Sequence, residues 1–130
     1  MKSLIKNRDR VKQVIDFTGV QNKKMHPSDI DAVLEFNNDA LILMEVKYQY
    51  HKIPIGQRLL LERIADRWGD KSIVLKIEHT FNNDKLNIPL EKCFVTRIYY
   101  KKTWHPIERV NVIEYLNKLG EKWNIKKCRF

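Results

Sequence analysis

The sequence is short of several residue types that define whole classes of protein. It holds two cysteines in 130 residues, Cys93 and Cys128. That is too few for a disulfide scaffold, and they lack metal-ligand spacing, so reduced thiols in a cytoplasm are the expectation. Four glycines and four prolines leave no Gly/Ser linker, and no repeat or low-complexity tract interrupts the chain, which points to one domain over residues 1–130. The longest apolar run, Ala40 to Met44, is five residues, far below the roughly 20 that span a bilayer. The polar start Met1-Lys2-Ser3 leads into no secretory core, so no membrane partner is expected. Acidic residues are also in deficit, with 16 Asp and Glu against 25 Lys and Arg for a net charge of +9. What is present in quantity is apolar: 43% of the chain, enough for a folded interior. The excess positive charge calls for an anionic partner.

Periodicity divides the chain into elements. Leu4, Arg8, Val11 and Ile15, widened by Val14, share one helical stripe, so Leu4 to about Asp16 reads as an amphipathic helix. After a loop containing Gly19 and Pro27 come Ile30 to Phe36 and Ala40 to Tyr48, joined by Asn37-Asn38-Asp39, which is turn chemistry; the pair reads as a β-hairpin. Apolar residues on both faces of each strand place the pair in the middle of a sheet. Pro54-Ile55-Gly56 stops the second strand, and Gln57 to Trp68 is helical, with Leu60, Leu61, Ile64, Ala65 and Trp68 on the buried stripe and Gly69 at the C-cap. Ile73 to Ile77 is a further strand. Cys93 to Tyr100 and Trp104 to Ile107 form a second hairpin about Lys101-Lys102-Thr103, and Asn111 to Trp123 is a last helix. The expected fold class is α/β, a mixed sheet flanked by helices with a C-terminal β-hairpin and helix.

A loop centred on Asn38 makes paired positions of the first hairpin sum to 76, so Asp31 faces Glu45. Opposed residues of an antiparallel pair project to one side with Cβ atoms about 4.5–5.5 Å apart, close enough for two carboxylates to share a divalent ion. Lys47 lies on the same face. Two carboxylates on an apolar strand surface repel and resist desolvation unless a cation or a donor compensates, and Mg²⁺, which accepts one or two carboxylates together with substrate phosphate oxygens, is such a cation. The plainer reading is that Asp31 caps a strand entrance while Glu45 and Lys47 form a surface ion pair.

Pro27-Ser28-Asp29-Ile30-Asp31, a hydrophobic strand and then Glu45-Val46-Lys47 resemble the signature of the PD-(D/E)XK nuclease superfamily. Gly56-Gln57-Arg58, opening a helix, is similar to the glutamine motif of its resolvase-like and phage-exonuclease-like branches. The wording from Phe17-Thr18-Gly19 through Glu78-His79 looks most like small phage-encoded members, with weaker support from Tyr99-Tyr100 to Trp104. The resemblance implies a restriction-endonuclease-like core of helix, three-stranded meander, helix and further strand. It implies Mg²⁺, with Mn²⁺ as substitute, bound by Asp31, Glu45 and the backbone carbonyl of Val46, and Lys47 as the catalytic lysine. The activity implied is hydrolysis of DNA phosphodiester bonds by a metal-activated water, endonuclease favoured over exonuclease, in the cytoplasm of a host cell for a phage-encoded protein. Ser28, Asp29 and Ile30 separate the proline from Asp31. Asp29 shares the strand face of Asp31, but Asp31 is preferred because it is the residue opposite Glu45.

Gln57 stands three, four and seven residues before Leu60, Leu61 and Ile64 and should point at the sheet, either to orient the site or simply to bond a local backbone group. His26 and His79 border the site in sequence, although a lone histidine is more often structural. Asp9 and Asp16 are weaker candidates for a further acidic ligand. Lys23, Lys24, Lys52, Arg58 and Arg63 flank the cleft and suit phosphate contact; Tyr48, Tyr50, Tyr99, Tyr100 and Trp104 suit base stacking or ordinary packing. RNA is as compatible as DNA with these residues, a homodimer or higher homo-oligomer would enlarge a short binding surface, and the rival function is a nucleic-acid-binding or partner-binding module without catalysis.

Overall fold

The computed structural model describes residues 15–83 and 87–130. Among them the elements are β1 (Ala32–Phe36), β2 (Ala40–Tyr48), α1 (Ile55–Trp68), β3 (Ser72–His79), a 3-10 turn (Leu90–Lys92), β4 (Phe94–Tyr100), β5 (Thr103–Asn111) and α2 (Val112–Lys122). The strands form one sheet in the order β1-β2-β3-β4-β5. β2 and β3 are parallel and every other pairing is antiparallel, so the α/β class and the mixed sheet are as expected. The helix expected from Leu4 falls on residues outside the described range, except that Ile15 and Asp16 lie in loop and Ile15 is 81% exposed.

Each face of the sheet carries one helix because the strands alternate. Ala40, Ile42 and Met44 of β2 join Ile73, Leu75 and Ile77 of β3, Val95 of β4, and Val112, Leu116 and Leu119 of α2 in the larger core. Leu41, Leu43 and Val74 face the other way and pack with Tyr99 under Leu61 and Ala65 of α1. Asn111 caps α2 by accepting hydrogen bonds from the backbone N–H of Ile113 at 2.9 Å and of Glu114 at 3.4 Å, an arrangement worth about 1 kcal/mol. Gly69 ends α1 at φ +125°, a conformation open to glycine. Both cysteines are free and buried in the larger core, where burial pushes their thiols up in pKa.

Two expectations need correction. Among the described residues β1 is an edge strand, not an interior one: Ala32, Leu34 and Phe36 meet the core, but Val33 on its other face is 46% exposed. α1 packs over β2, β3 and Tyr99 of β4, and that leaves the outer face of β1 uncovered among the described residues. Second, Ile30 does not continue the strand; the chain bends at Asp31 and Ile30 packs beneath α1 instead. The described residues place two strands, β1 and β2, ahead of α1, and residues 1–14 lie outside them. Between Asp16 and Pro27, side chains of Asp16 and Asn22 accept bonds from nearby backbone N–H groups at 2.9 Å, and such local bonding competes with strand formation.

Candidate active site

The carboxyl ends of the parallel pair, β2 and β3, lie side by side next to the first turn of α1, the position where open α/β sheets most often hold ligands. Here the face beneath α1 changes character. It is apolar at Leu41, Leu43 and Val74, then charged at Glu45, Lys47, Lys76 and Glu78.

The hairpin register is the one that the Asn37-Asn38-Asp39 loop implies. Phe36 pairs with Ala40 and Ala32 with Met44, so the next opposed positions are Asp31 and Glu45. Asn37 and Asn38 adopt φ of 51° and 61°, which asparagine tolerates well. Just beyond the end of β1, Oδ2 of Asp31 accepts the backbone N–H of Val46 at 2.8 Å. Within a strand the N–H and C=O of one residue point to the same edge, so the Val46 carbonyl faces the Asp31 side as well, while its side chain packs in the α2 core.

Glu45 is 2% exposed. Its Oε2 accepts the Gln57 amide Nε2–H at 2.7 Å, and the same Nε2 donates to the backbone carbonyl of Asp29 at 2.6 Å. Gln57 therefore points at the sheet and ties α1 to β2 and to the strand entrance, rather than bonding its own helix end. Burial raises Glu45 to about 8, the nearby Asp31 carboxylate adds to the rise, and Lys47 opposes it. Lys47 Nζ stands 3.8 Å from Glu45 Oε1.

On each carboxylate one oxygen is engaged by a protein N–H, and Glu45 also lies within interaction reach of the Asp31 and Lys47 side chains. The donor set of Asp31, Glu45 and the Val46 carbonyl is all hard oxygen, which suits Mg²⁺ in kind. No group of three His, Cys, Asp or Glu side chains with metal-holding geometry occurs among the described residues. An ion here would complete its coordination with backbone, water or substrate.

Other candidates do not join this cluster. His79 is buried; its Nδ1 accepts the Phe81 N–H at 3.1 Å, and its ring packs on Phe81 and Tyr48, a structural role. His26 is exposed beside the Pro27 carbonyl. Asp29 contributes its backbone carbonyl, Asp16 bonds Thr18, and Asp9 lies outside the described residues. Tyr99 is core, donating to Asp66 at 2.9 Å, and Tyr100 packs on Trp123.

Sequence reasoning missed Lys76, Glu78 and Arg97. Glu45 pairs with Lys76 and Lys47 with Glu78 across β2 and β3, and Lys76 pairs with Arg97 across β3 and β4. Lys76 is 8% exposed and its Nζ lies 2.9 Å from Glu78 Oε2, which also accepts the Thr96 hydroxyl at 2.9 Å. A lysine inside the run Ile73 to Ile77 was the available signal, but its neighbours depend on a parallel register that no local pattern reveals.

Comparison with protein-family models finds no match, and comparisons with curated proteins and with solved structures find none either. No helix among the described residues is long and apolar enough to cross a membrane.

Proposed function

We propose that the protein is a Mg²⁺- or Mn²⁺-dependent nuclease of the PD-(D/E)XK kind, hydrolysing DNA phosphodiester bonds as an endonuclease on a restriction-endonuclease-like sheet. The observation that carries this reading is the meeting of Asp31 and Glu45 across the hairpin, with Lys47 beside Glu45 and one oxygen of each carboxylate held in place by a protein N–H. The parallel β2-α1-β3 unit, with the acidic pair at its carboxyl end, is in keeping with it.

In this reading Asp31, Glu45 and the Val46 carbonyl hold the metal, which when bound supplies positive charge that polarises the phosphodiester. Gln57 fixes the Glu45 carboxylate in orientation, so that its desolvated oxygen is aimed before substrate arrives. Lys47 puts a cation at the same point, where negative charge develops on phosphate oxygens in the transition state. The net charge of +9 supplies salt-sensitive affinity for the strand.

The test is cleavage of single-stranded, duplex and branched DNA with Mg²⁺ or Mn²⁺, comparing wild type with Glu45→Ala. Metal-dependent cutting by wild type alone is expected. Equal behaviour of the two proteins on every substrate, together with salt-dependent binding, would instead favour the non-catalytic binding module.

A further inference from the structure

β4 breaks its alternation beside the site. Val95 and Ile98 pack toward α2 and Tyr99 packs toward α1. Thr96 and Arg97, though consecutive, both serve the α1 side: Thr96 bonds Glu78, and Arg97 borders a cavity with Lys76 and Glu78. The registers of β4 with β3 and with β5 both shift at this point, between Lys76 and Ile77 and between Val95 and Arg97. A bulge re-aims side chains in this way, and bulges concentrate next to functional sites. Without it Arg97 would share the face of Val95 and enter the α2 core.

The cavity so formed measures about 420 Å³, within the size range of small-ligand sites. Lys52, Arg58, Lys76 and Arg97 line it against one carboxylate, Glu78, an excess of three positive charges by simple count. Lys76 is spent on Glu78 and Arg58 Nε on Glu62 at 3.2 Å, whereas Lys52 and Arg97 form no ion pair among the described residues. Two aromatic residues, Tyr50 and Trp104, complete the wall. The indole is held in place by its N–H bond to Glu62 at 2.7 Å and by the Tyr99 ring at 5.4 Å. Phosphate alone would need the cations but not the rings. A base inside a duplex offers no face to a ring, because both its faces are already stacked; an unpaired base offers one.

We infer that this cavity is a subsite for one unpaired nucleotide of the substrate strand, phosphate on Arg97 and Lys52 and base against Trp104. Lys76 and Glu78 are the β3 neighbours of Glu45 and Lys47, one strand spacing of about 4.8 Å away, so a nucleotide seated here adjoins the acidic pair. The inference rests on the nuclease reading for what is done to the strand, not for the binding itself. It makes single-stranded or frayed nucleic acid the substrate class.

The experiment is fluorescence anisotropy in EDTA, with labelled oligo-dT, oligo-U and a blunt duplex of equal length. Wild type should hold the tighter of the two single strands about tenfold more strongly than the duplex, and Arg97→Ala should lose about tenfold on that strand. Trp104→Leu should lose as much while Trp104→Phe keeps most of the affinity; Arg97, being exposed, carries the test if Trp104→Leu does not fold. The preferred oligomer tells which sugar the subsite takes. Equal affinity for duplex and single strands, or an Arg97→Ala protein that binds like wild type, overturns the inference. Discrimination without metal-dependent cleavage upholds the subsite and removes the nuclease reading; cleavage that ignores Arg97 does the reverse.

Discussion

Gln57 in the first turn of α1 donates one amide hydrogen to Glu45 Oε2 at 2.7 Å and another to the Asp29 carbonyl at 2.6 Å. One side chain thus joins the helix, the second strand and the entrance to the first. Gln57→Leu removes the donor from a carboxyl that is 2% exposed and should cost about 1–3 kcal/mol of stability in urea denaturation. Gln57→Glu, which sets a third carboxyl beside Asp31 and Glu45, should cost at least as much at neutral pH and recover in acid. Wild-type stability in both variants would show that the bond contributes nothing.

The raised Glu45 group sets a pH dependence in metal-free protein. Unfolded, this carboxyl titrates near 4.5; folded, it holds its proton up to about 8. The folded chain binds more protons between those values, so the contribution is complete below about pH 4.5, declines as pH rises and is gone above about pH 8. Melting temperature should therefore fall between about pH 5 and 8 by an amount on the order of a few kcal/mol in stability. Glu45→Gln should flatten that fall, and Mg²⁺ at the alkaline end should raise the wild-type melting temperature but not that of Glu45→Gln. Parallel pH profiles for the two proteins would exclude Glu45 as the titrating group.

Lys47 separates binding from chemistry under the proposed function. Lys47→Met keeps most of the side-chain volume and should lower Mg²⁺-dependent cleavage by about 100-fold or more. DNA affinity in EDTA should change by less than about threefold, since one phosphate contact among many is lost. A variant that cuts like wild type would remove Lys47 from the mechanism.

Gly120 and Gly56 make a matched pair for stability. A Cβ on buried Gly120 of α2 would overlap the Cys128 carbonyl oxygen and stand 2.9 Å from the Cys128 Cβ, while a Cβ on Gly56 of α1 meets nothing within 4 Å. Gly120→Ala should destabilise by about 1–3 kcal/mol. Gly56→Ala should stabilise by about 0.5–1 kcal/mol, since alanine is the better helix former. Thermal melts of the two variants should move in opposite directions.

The β4–β5 turn holds two lysines at positive φ, Lys101 at 50° and Lys102 at 66°. Both need the left-handed region, which a two-residue hairpin turn of this hand assigns to Asn-Gly by preference. Replacing the pair by Asn-Gly should raise stability by about 1 kcal/mol; a loss would mean that the lysine side chains add contacts of their own.

The first hairpin was legible because its information is local. A turn of three polar residues and a period of two together specify which residues oppose, and a one-residue slip would have turned every apolar side chain outward. The register therefore delivered Asp31 opposite Glu45, with Lys47 on the same face. The helical stripe of α1 similarly aimed Gln57 at the sheet and set its end at Gly69. Edge position was less legible: Val33 made β1 read as an interior strand, whereas what covers its outer face depends on where α1 docks.

By itself the sequence determined the hairpin pairing, the direction of Gln57, the α/β class and the absence of a disulfide framework, because turn residues and periodicity act over a few positions. Tertiary structure alone decided the rest. The parallel docking of β3 on β2, through α1, brought Lys76 and Glu78 beside Glu45 and Lys47. A bulge at Thr96 turned Arg97 out of one core and into the cavity at the other face. Both depend on how the helices and the sheet settle around a crossover, and contacts that far apart in the chain leave no period to read.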